Sequence, residues 1–265
     1  MKLRKIISGG QTGADQAALD VAIKLDIPHG GCIPKGRLTE DGSLPDKYHF
    51  TEMTTTSYKD RTEQNVIDSD GTVIFSYGRL TGGSGYTRKM AVKHNRHWLV
   101  VDLAKHTRFQ AAQSINDWIR RNNIEVVNVA GSRASKSPEI YDAVTGILKA
   151  VCYMNHMEET PMQMFPQTAA PRSVEEAVDQ FVSTLGPREK HLIANMDENY
   201  LDTLHFSFGQ YTRNQFGLWG GNEELIESCR SHLGEESFNA DHYSAFILRK
   251  LWVELKKTHK LRIVK

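Results

Sequence analysis

The sequence predicts an α/β fold: a Rossmann-like parallel sheet with helices on both faces, followed by a small all-α domain. Short apolar strands alternate with amphipathic helices in residues 1–155, which is the pattern of a parallel sheet with helical crossovers. Two of these strands end in glycine-rich turns. From residue 172 to residue 265 the periodic segments have helical spacing, and residues 156–171 between the two patterns are predicted to be a linker.

The first strand, turn and helix carry the first candidate site. The strand Lys5–Ile7 leads into the turn 8–15, and an amphipathic helix follows. Backbone N–H groups at such a turn can hold an anion together with the positive end of the helix, and glycine lets the backbone approach it closely. The candidate ligand-binding residues of this turn are Gly9, Gly10, Gln11, Thr12, Gly13 and Asp15. A tight turn with a helix cap is the alternative, because the turn matches neither a Walker loop nor a Rossmann fingerprint.

A turn-rich segment follows in residues 27–42, where glycines and prolines disfavour regular elements. Lys35 and Arg37 flank a glycine there, an arrangement that suits an anion, and a solvated loop is the alternative. A short strand is predicted over Tyr48–Met53.

The next helix is predicted over Tyr58–Asp68 and places the candidate ligand-binding residues Arg61 and Asn65 on one face, because they are four residues apart. The apolar run Thr72–Ser76 is typical of a buried parallel strand. A second glycine-rich loop follows it, and a helix is predicted over Thr87–Asn95. The candidate ligand-binding residues of this strand end and loop are Ser76, Gly78, Thr81, Gly82, Gly83, Ser84 and Thr87.

Both glycine-rich loops are predicted to face one crevice, because strand-to-helix loops of a parallel sheet open at the same edge. Such a crevice suits a phosphate-bearing or nucleotide-sized ligand. The strands Trp98–Leu103 and Glu125–Ala130 complete the predicted sheet, and the second ends at the candidate residues Gly131 and Arg133. An arginine at this position can clamp a phosphate or carboxylate with two parallel hydrogen bonds.

The C-terminal segment is predicted to be a separate helical bundle. Ser173 and Glu176 form a capping box at the start of its first helix. Aromatic residues are dense in this segment, and a bundle core explains them without a nucleic-acid platform. Its further helices are predicted over 189–195, 199–208, 223–233 and 241–259.

The composition bounds the functional classes. The chain has 33 basic and 32 acidic residues, so its overall charge gives no argument for nucleic-acid binding. Its cysteines, Cys32, Cys152 and Cys229, are far apart and indicate a reducing compartment. Neither a signal peptide nor a membrane-length apolar run is present, so we expect a cytoplasmic protein without membrane association. No metal site is expected, since His94 and His97 lack further ligands in metal spacing.

Several stretches in the same order carry a resemblance to a known family. They are Gly9-Gly10-Gln11-Thr12-Gly13-Ala14-Asp15, Pro34-Lys35-Gly36-Arg37 with Glu40-Asp41-Gly42, 61–71, Leu80-Thr81-Gly82-Gly83-Ser84, and 128–133. Over residues 4–152 the chain resembles the putative molybdenum carrier proteins, which are circularly permuted YpsA-like members of the SLOG superfamily. The resemblance implies a Rossmann-like domain that binds a nucleotide-derived ligand or molybdenum cofactor. The C-terminal segment resembles a separate helical domain of unknown function.

The resemblance also bears on catalysis. The related lonely-guy phosphoribohydrolases follow their glycine loop with a catalytic glutamate, whereas this chain has Arg88-Lys89 in that region. Asp15, Asp68 and Asp70 are the acids that remain as substitutes. One hypothesis is therefore a binding module, a carrier, sensor or sequestering protein for a small nucleotide-like ligand.

The other hypothesis is a hydrolase of a nucleotide or nucleotide-sugar bond. Asp15 or Asp70 would be its general acid or base, and Arg61 and Arg133 its phosphate clamps. The missing glutamate favours the binding module. A homo-oligomer is compatible with either hypothesis.

Overall fold

The computed structural model describes residues 3–157, 169–205, 208–234 and 238–259. The chain falls into two compact units, Met1–Asn155 and His156–Lys265. The first is an α/β unit built on a parallel sheet, and the second is helical in its described residues. The predicted fold class is therefore confirmed.

The first unit alternates strands and helices as the sequence predicts. Its strands are β1 (Lys5–Ser8), β2 (His29–Gly30), β3 (Cys32–Ile33), β4 (Leu38–Thr39), β5 (Gly42–Ser43), β6 (Thr51–Glu52), β7 (Gly71–Ser76), β8 (His97–Asp102) and β9 (Val126–Gly131). Its helices are α1 (Ala14–Lys24), α2 (Tyr58–Ile67), α3 (Gly82–Lys93), α4 (Arg108–Arg121) and α5 (Ile140–Met157).

The described strands of the main sheet are parallel and lie in the order β2-β1-β9-β7-β8. The chain leaves β1 toward one edge, to β2, and leaves β7 toward the other edge, to β8. Because such crossovers are right-handed, α1 and α3 cover opposite faces of the sheet. The carboxyl ends of β1, β9 and β7 therefore border a crevice of the kind in which open α/β sheets bind ligands.

The core of this unit lies between the sheet and its helices. All six residues of β7 are buried, including Ile74 and Phe75 at 0 % exposure. On α1 the buried residues facing the sheet include Ala17, Ala18 and Ala22, whose small side chains let the helix lie close to β1 and β9. This packing fixes the start of α1, and hence the turn 8–15, against the sheet.

Two predicted elements of the first unit are wrong in extent. The strand expected over 48–53 is reduced to Thr51–Glu52, because the buried Tyr48 turns its hydroxyl to the Asp20 carboxylate, 2.9 Å away. The helix expected from Thr87 begins at Gly82. Gly82–Gly85 thus form the first helical turn of α3 rather than a loop, after an extended N-cap at Thr81.

The second unit consists of helices in its described residues. They are α6 (Val174–Thr184), α7 (Pro187–Ala194), α8 (Phe208–Gln215), α9 (Glu223–Leu233) and α10 (Ala240–Thr258), with a 3₁₀ helix at Glu198–His205. Rings of Phe181, Phe208, Tyr211 and Phe216 pack at centroid distances of 5.4 to 6.0 Å in its core. The predicted role of these aromatic residues as bundle core is consistent with that packing.

The helix boundaries of the second unit follow local capping. The Ser173 hydroxyl accepts from the N–H of Glu176, and the Asn222 side chain accepts from Leu225. The helix predicted over 199–208 is wrong, since the 3₁₀ helix ends at His205 and α8 starts at Phe208. Of the predicted linker, residues 156 and 157 end α5, and residues 158–168 lie outside the described residues. The domain boundaries therefore stay a prediction.

Within the described ranges, no helix combines the length and the apolar character needed to cross a bilayer.

Candidate ligand-binding crevice

The turn after β1 is packed tightly against the loop that follows β9. Gly13 has φ +77°, and a Cβ there would lie 2.5 Å from the carbonyl oxygen of Ser132. The N–H of Ala14 donates to that same carbonyl at 3.3 Å. Glycine is required at position 13 because a side chain would both strain the backbone and separate the two loops. The close approach brings the end of β1 and the end of β9 to one side of the crevice.

A buried ion pair lies at the start of α1. Nη1 of Arg61, on α2, is 3.6 Å from Oδ2 of Asp15, and the side chains are 11 % and 9 % exposed. The guanidinium occupies the space above Gly9, where a Cβ would meet Nη1 at 1.3 Å. The absence of a side chain at Gly9 therefore leaves the space that the Arg61 guanidinium occupies.

Burial dominates the electrostatics of this pair. Desolvation raises the pKa of Asp15 from 3.8 to about 6, against the opposing effects of Arg61, the N–H of Gln11 and Arg133. Desolvation likewise lowers the pKa of Arg61, and Asp15 opposes that shift. Among the described residues, Nε of Arg61 is buried without a hydrogen-bond partner. A carboxyl group that titrates near pH 6 beside a ligand-sized space is a common property of functional sites.

The first turn of α3 is open where the turn after β1 is crowded. A Cβ at Gly83 would meet no atom within 4 Å, and one at Gly82 would meet only Nζ of Lys136, at 3.6 Å. The N–H groups of a first helical turn have no intrahelical acceptor. The start of α3 therefore presents backbone donors and the positive end of a helix dipole to free space.

Among the described residues, two adjoining cavities of about 470 Å³ each lie at this edge of the sheet. The first is lined by Tyr58 and Tyr86 together with the ion pair of Arg61 and Asp15. The second is lined by cations and hydroxyl groups. These lining residues are Arg79, Arg133, Lys136, Ser76, Thr81, Ser84, Ser132 and Ser137, with Tyr77 also present. No described carboxylate lines the second cavity.

Arg133 joins the two cavities. Together with Gly83, Ser84 and Gly131 it lines both. Its guanidinium carbon is 5.8 Å from the centre of the Tyr58 ring, the same distance as that of Arg61. Two guanidinium groups thus lie close to the Tyr58 ring. The first cavity is called the aromatic cavity below and the second the cationic cavity. Because they share a wall, one ligand can extend from the aromatic cavity into the cationic cavity.

The structure brings many of the predicted ligand-binding residues to these cavities. They are Gln11, Asp15, Arg61, Ser76, Thr81, Gly82, Gly83, Ser84, Thr87, Gly131 and Arg133. The predicted residues Gly9, Gly10, Thr12 and Gly13 line neither cavity. Gly10 lies against Leu44 and Phe50, and the Thr12 hydroxyl donates to the carboxylate of Glu40. These four residues pack against neighbouring segments of the unit and do not contact the cavities directly.

Three predicted residues of the next segments lie elsewhere. Arg37 donates to the carbonyls of residues 44, 45 and 48 and so fastens its own loop. Lys35 is exposed and lines neither cavity. The buried Asn65 accepts from the N–H of Cys32 at 2.7 Å and donates to the carbonyl of Ser8 at 3.1 Å. The Asn65 amide therefore cross-links α2 to β1 and β3.

The remaining predicted residues lie at the ends of strands or, for Asp68, at the end of α2. The N–H of Gly78 donates to Asp102 at 2.8 Å, which ties the end of β7 to the end of β8. Asp70 precedes β7, and its carboxylate accepts from the N–H groups of Glu125 and Val126. Asp70 therefore lies at the amino edge of the sheet, away from the crevice. Asp68 ends α2 and accepts from Gln64.

Sequence reasoning missed several residues that line the cavities. Tyr58, Lys59 and Thr62 lie on the first turns of α2, and Tyr86 lies on α3. Arg79 and Lys136 extend the cationic wall. Arg79 and Lys136 belong to the loops that follow β7 and β9, so their position at the carboxyl edge was a usable signal. The residues of α2 carry no such signal, because no strand of the main sheet directly precedes that helix.

Within the described residues, no group of three or more His, Cys, Asp or Glu side chains is placed to hold a metal ion. Nε2 of His94, at the end of α3, lies 2.6 Å from the carboxylate of Glu63 on α2. Cys32, Cys152 and Cys229 are buried and carry free thiols.

Comparison with known proteins identifies both units. The model of the circularly permutated YpsA SLOG family matches residues 6–152, and that of a domain of unknown function, DUF6794, matches residues 170–255. A crystal structure titled "Putative molybdenum carrier protein", from Syntrophus aciditrophicus SB, is 51% identical. The match covers 57% of this chain and 95% of that chain, with a TM-score of 0.56. No curated protein matches the chain.

The family and the solved neighbour support a ligand-binding role in general terms. The matched residues also span both glycine-rich turns and Arg133. The family model covers more than half of the chain, so the chain belongs to the circularly permuted YpsA branch of the SLOG family.

Proposed function

We propose that the first unit binds a nucleotide-derived small molecule that bears phosphate, as a carrier, sensor or sequestering protein. The ring of the ligand would lie in the aromatic cavity with Tyr58 and Tyr86. Its phosphate groups would lie at the start of α3, between Arg79, Arg133 and Lys136. Each of these groups lines a cavity at the same edge of the sheet.

The observation that carries this proposal is that two adjoining cavities are lined by different kinds of side chain. One offers aromatic rings, whose faces favour stacking with a planar base. The other offers three cations and several hydroxyl groups without a described carboxylate, which favours a phosphate or diphosphate. The aromatic cavity also holds Lys59 and the ion pair of Arg61 and Asp15, and the start of α3 lines both cavities with its backbone donors. Arg133 lies in the shared wall, where a ligand would pass from its ring to its phosphates.

Molybdenum cofactor combines a ring system with a phosphate, and the name of the solved neighbour makes it a ligand to consider. The ring and phosphate would find the same partners as those of a nucleotide. We propose a nucleotide as the ligand class and include the cofactor as one member of the ligand panel.

A hydrolase of a nucleotide bond is the second candidate function, and Asp15 favours it. Its carboxyl group lines the aromatic cavity, and burial raises its pKa to about 6. General acids and bases work best when their pKa lies near the working pH. Asp15 would then act as general acid, donating a proton to the leaving group, or as general base, taking one from the water that attacks, while Arg61 and Arg133 hold the phosphate.

A ligand panel separates these proposals. The purified protein is screened by thermal shift with adenosine, AMP, ADP, pyrophosphate and molybdenum cofactor, and each hit is followed by calorimetric titration. The binding proposal expects ADP to bind more tightly than adenosine or pyrophosphate, since of these three only ADP carries both the ring and the phosphate groups that the two cavities are proposed to bind. Chromatography of the same mixtures tests the hydrolase: a product that appears with wild type and not with Asp15→Asn would establish turnover.

A further inference from the structure

Glu40 is a charged residue that the proposed function leaves without a role, although it contacts two crevice-forming segments. It lies at the tip of the hairpin formed by β4 and β5. Its carboxylate accepts from the hydroxyl of Thr12, in the turn after β1. It also accepts from the N–H of Ser135 at 3.3 Å and from its hydroxyl at 2.7 Å, in the loop after β9.

The backbone of the hairpin tip is held as well. Oε1 of Gln11 accepts from the N–H of Glu40 at 2.9 Å and from that of Thr12 at 3.1 Å. The Thr12 hydroxyl in turn accepts from the N–H of Ala134 at 3.2 Å. Desolvation raises the pKa of Glu40, but the hydrogen bonds from Thr12 and Ser135 and the charge of Arg133 together outweigh it and lower that pKa, so the carboxylate is ionised at neutral pH.

The hairpin reaches both aromatic and cationic residues of the crevice without lining either cavity. Oε2 of Glu40 is 3.9 Å from Nη1 of Arg133. The Tyr58 hydroxyl donates to the carbonyl of Leu38, on β4, at 3.1 Å. The hairpin therefore contacts Arg133 through Glu40. It also binds Tyr58, whose ring lies beside the same guanidinium.

We infer that Glu40 is a positioning residue for ligand binding: it holds Arg133 and the loop 131–135 in the orientation that joins the two cavities. This inference rests on the proposed function, since it assigns Glu40 a task at the same site. An ion pair as exposed as this one contributes little by itself. The effect of Glu40 comes from fixing the loop 131–135 directly, through the N–H and the hydroxyl of Ser135, and indirectly, through the Thr12 hydroxyl that binds Ala134. A loop that is already ordered spares the ligand the cost of ordering it.

The test uses full-length Glu40→Ala and compares it with Asp41→Ala. Asp41 is the next residue of the hairpin and is exposed, so its removal takes the same charge from the tip without touching Arg133. Calorimetric titration with ADP is expected to show Glu40→Ala binding roughly tenfold more weakly than wild type. Asp41→Ala should bind like wild type. Glu40→Gln keeps the acceptor oxygen and is expected to lose less, in the same direction.

Two further measurements show whether Glu40 acts through Arg133. In a double-mutant cycle, Glu40→Ala should cost no further affinity once Arg133 is alanine. The rate at which phenylglyoxal modifies Arg133, followed by peptide mass spectrometry without ligand, should rise in Glu40→Ala and stay unchanged in Asp41→Ala. The modification rate of Arg133 decides the inference even if wild type does not bind ADP. A failure of wild type to bind ADP would count against the proposed function alone.

Three results would overturn the inference. Tighter ADP binding by Glu40→Ala than by Asp41→Ala would make Glu40 a competing anion. An equal loss in the Arg133→Ala background would place its effect elsewhere. An unchanged modification rate of Arg133 in both Glu40→Ala and Glu40→Gln would show that Glu40 does not hold that side chain.

Discussion

The guanidinium of Arg61 packs directly against Gly9, and its Nη1 lies 3.6 Å from Oδ2 of Asp15. This contact joins α2 to the turn after β1, although the two segments are separated by about fifty residues of chain. It also places an ion pair in the wall of the aromatic cavity, because Asp15 and Arg61 both line it.

The first prediction concerns the pH dependence of stability. Burial raises the pKa of Asp15 from 3.8 to about 6, so the folded protein holds this proton more tightly than the unfolded chain. Asp15 therefore lowers the free energy of unfolding as pH rises from about 4 to 6, and above that its effect is constant. Asp15→Asn should remove this component of the slope. Urea denaturation of wild type and variant between these pH values measures it.

Comparison of the slopes, rather than of absolute stabilities, is the control, because Asp15→Asn also leaves the Arg61 charge without its partner. Identical pH slopes for the two proteins would mean that Asp15 does not carry the raised pKa.

The second prediction compares two glycines with opposite surroundings. Gly9→Ala would place a methyl group on the Arg61 guanidinium and force it from Asp15, which should lower the free energy of unfolding by roughly 2–4 kcal/mol. Gly83→Ala meets open space at an ordinary helical position. It should be neutral or stabilise by about 0.5–1 kcal/mol, since alanine favours helix over glycine. Denaturation of both variants checks the contrast, and equal losses would contradict it.

How far the sequence predicts this crevice is clearest at Gly83 and Asn65. Gly83 was expected in the crevice, and it lies there because the strand–turn–helix pattern locates the carboxyl edge of a sheet. The start of α3 was misplaced by five residues, because glycine is a poor helix former and gives no local sign of a first helical turn. Its helix is stabilised instead by packing on α2 and β7.

Asn65, in contrast, is a residue whose role the sequence does not predict. Its spacing from Arg61 suggested a shared ligand, yet only Arg61 lines a cavity, while the Asn65 amide binds backbone groups 57 and 33 residues away in sequence. Partners that distant leave no periodic trace. Tyr58 was missed for the same reason, since its place beside Arg133 depends on how α2 lies across the sheet edge.

The third prediction concerns charge at the start of α3. Gly83→Asp adds a carboxylate where the proposed phosphate would bind, so ADP affinity should fall by about thirty- to several-hundred-fold, or roughly 2–4 kcal/mol. The fold should not suffer, because an acid in the first turn of a helix interacts favourably with its dipole. Calorimetric titration and thermal melting are measured together, with Gly83→Ala as the uncharged control. Normal ADP binding by Gly83→Asp would exclude α3 from the anion site.

The most direct measurement is a crystal structure of the full chain with ADP bound. We expect the adenine ring in the cavity of Tyr58 and Tyr86, and the diphosphate at the first turn of α3 within reach of Arg79, Arg133 and Lys136. Density for ADP confined to another part of the protein, or a diphosphate turned away from α3, would contradict the proposal that the two cavities form one nucleotide site.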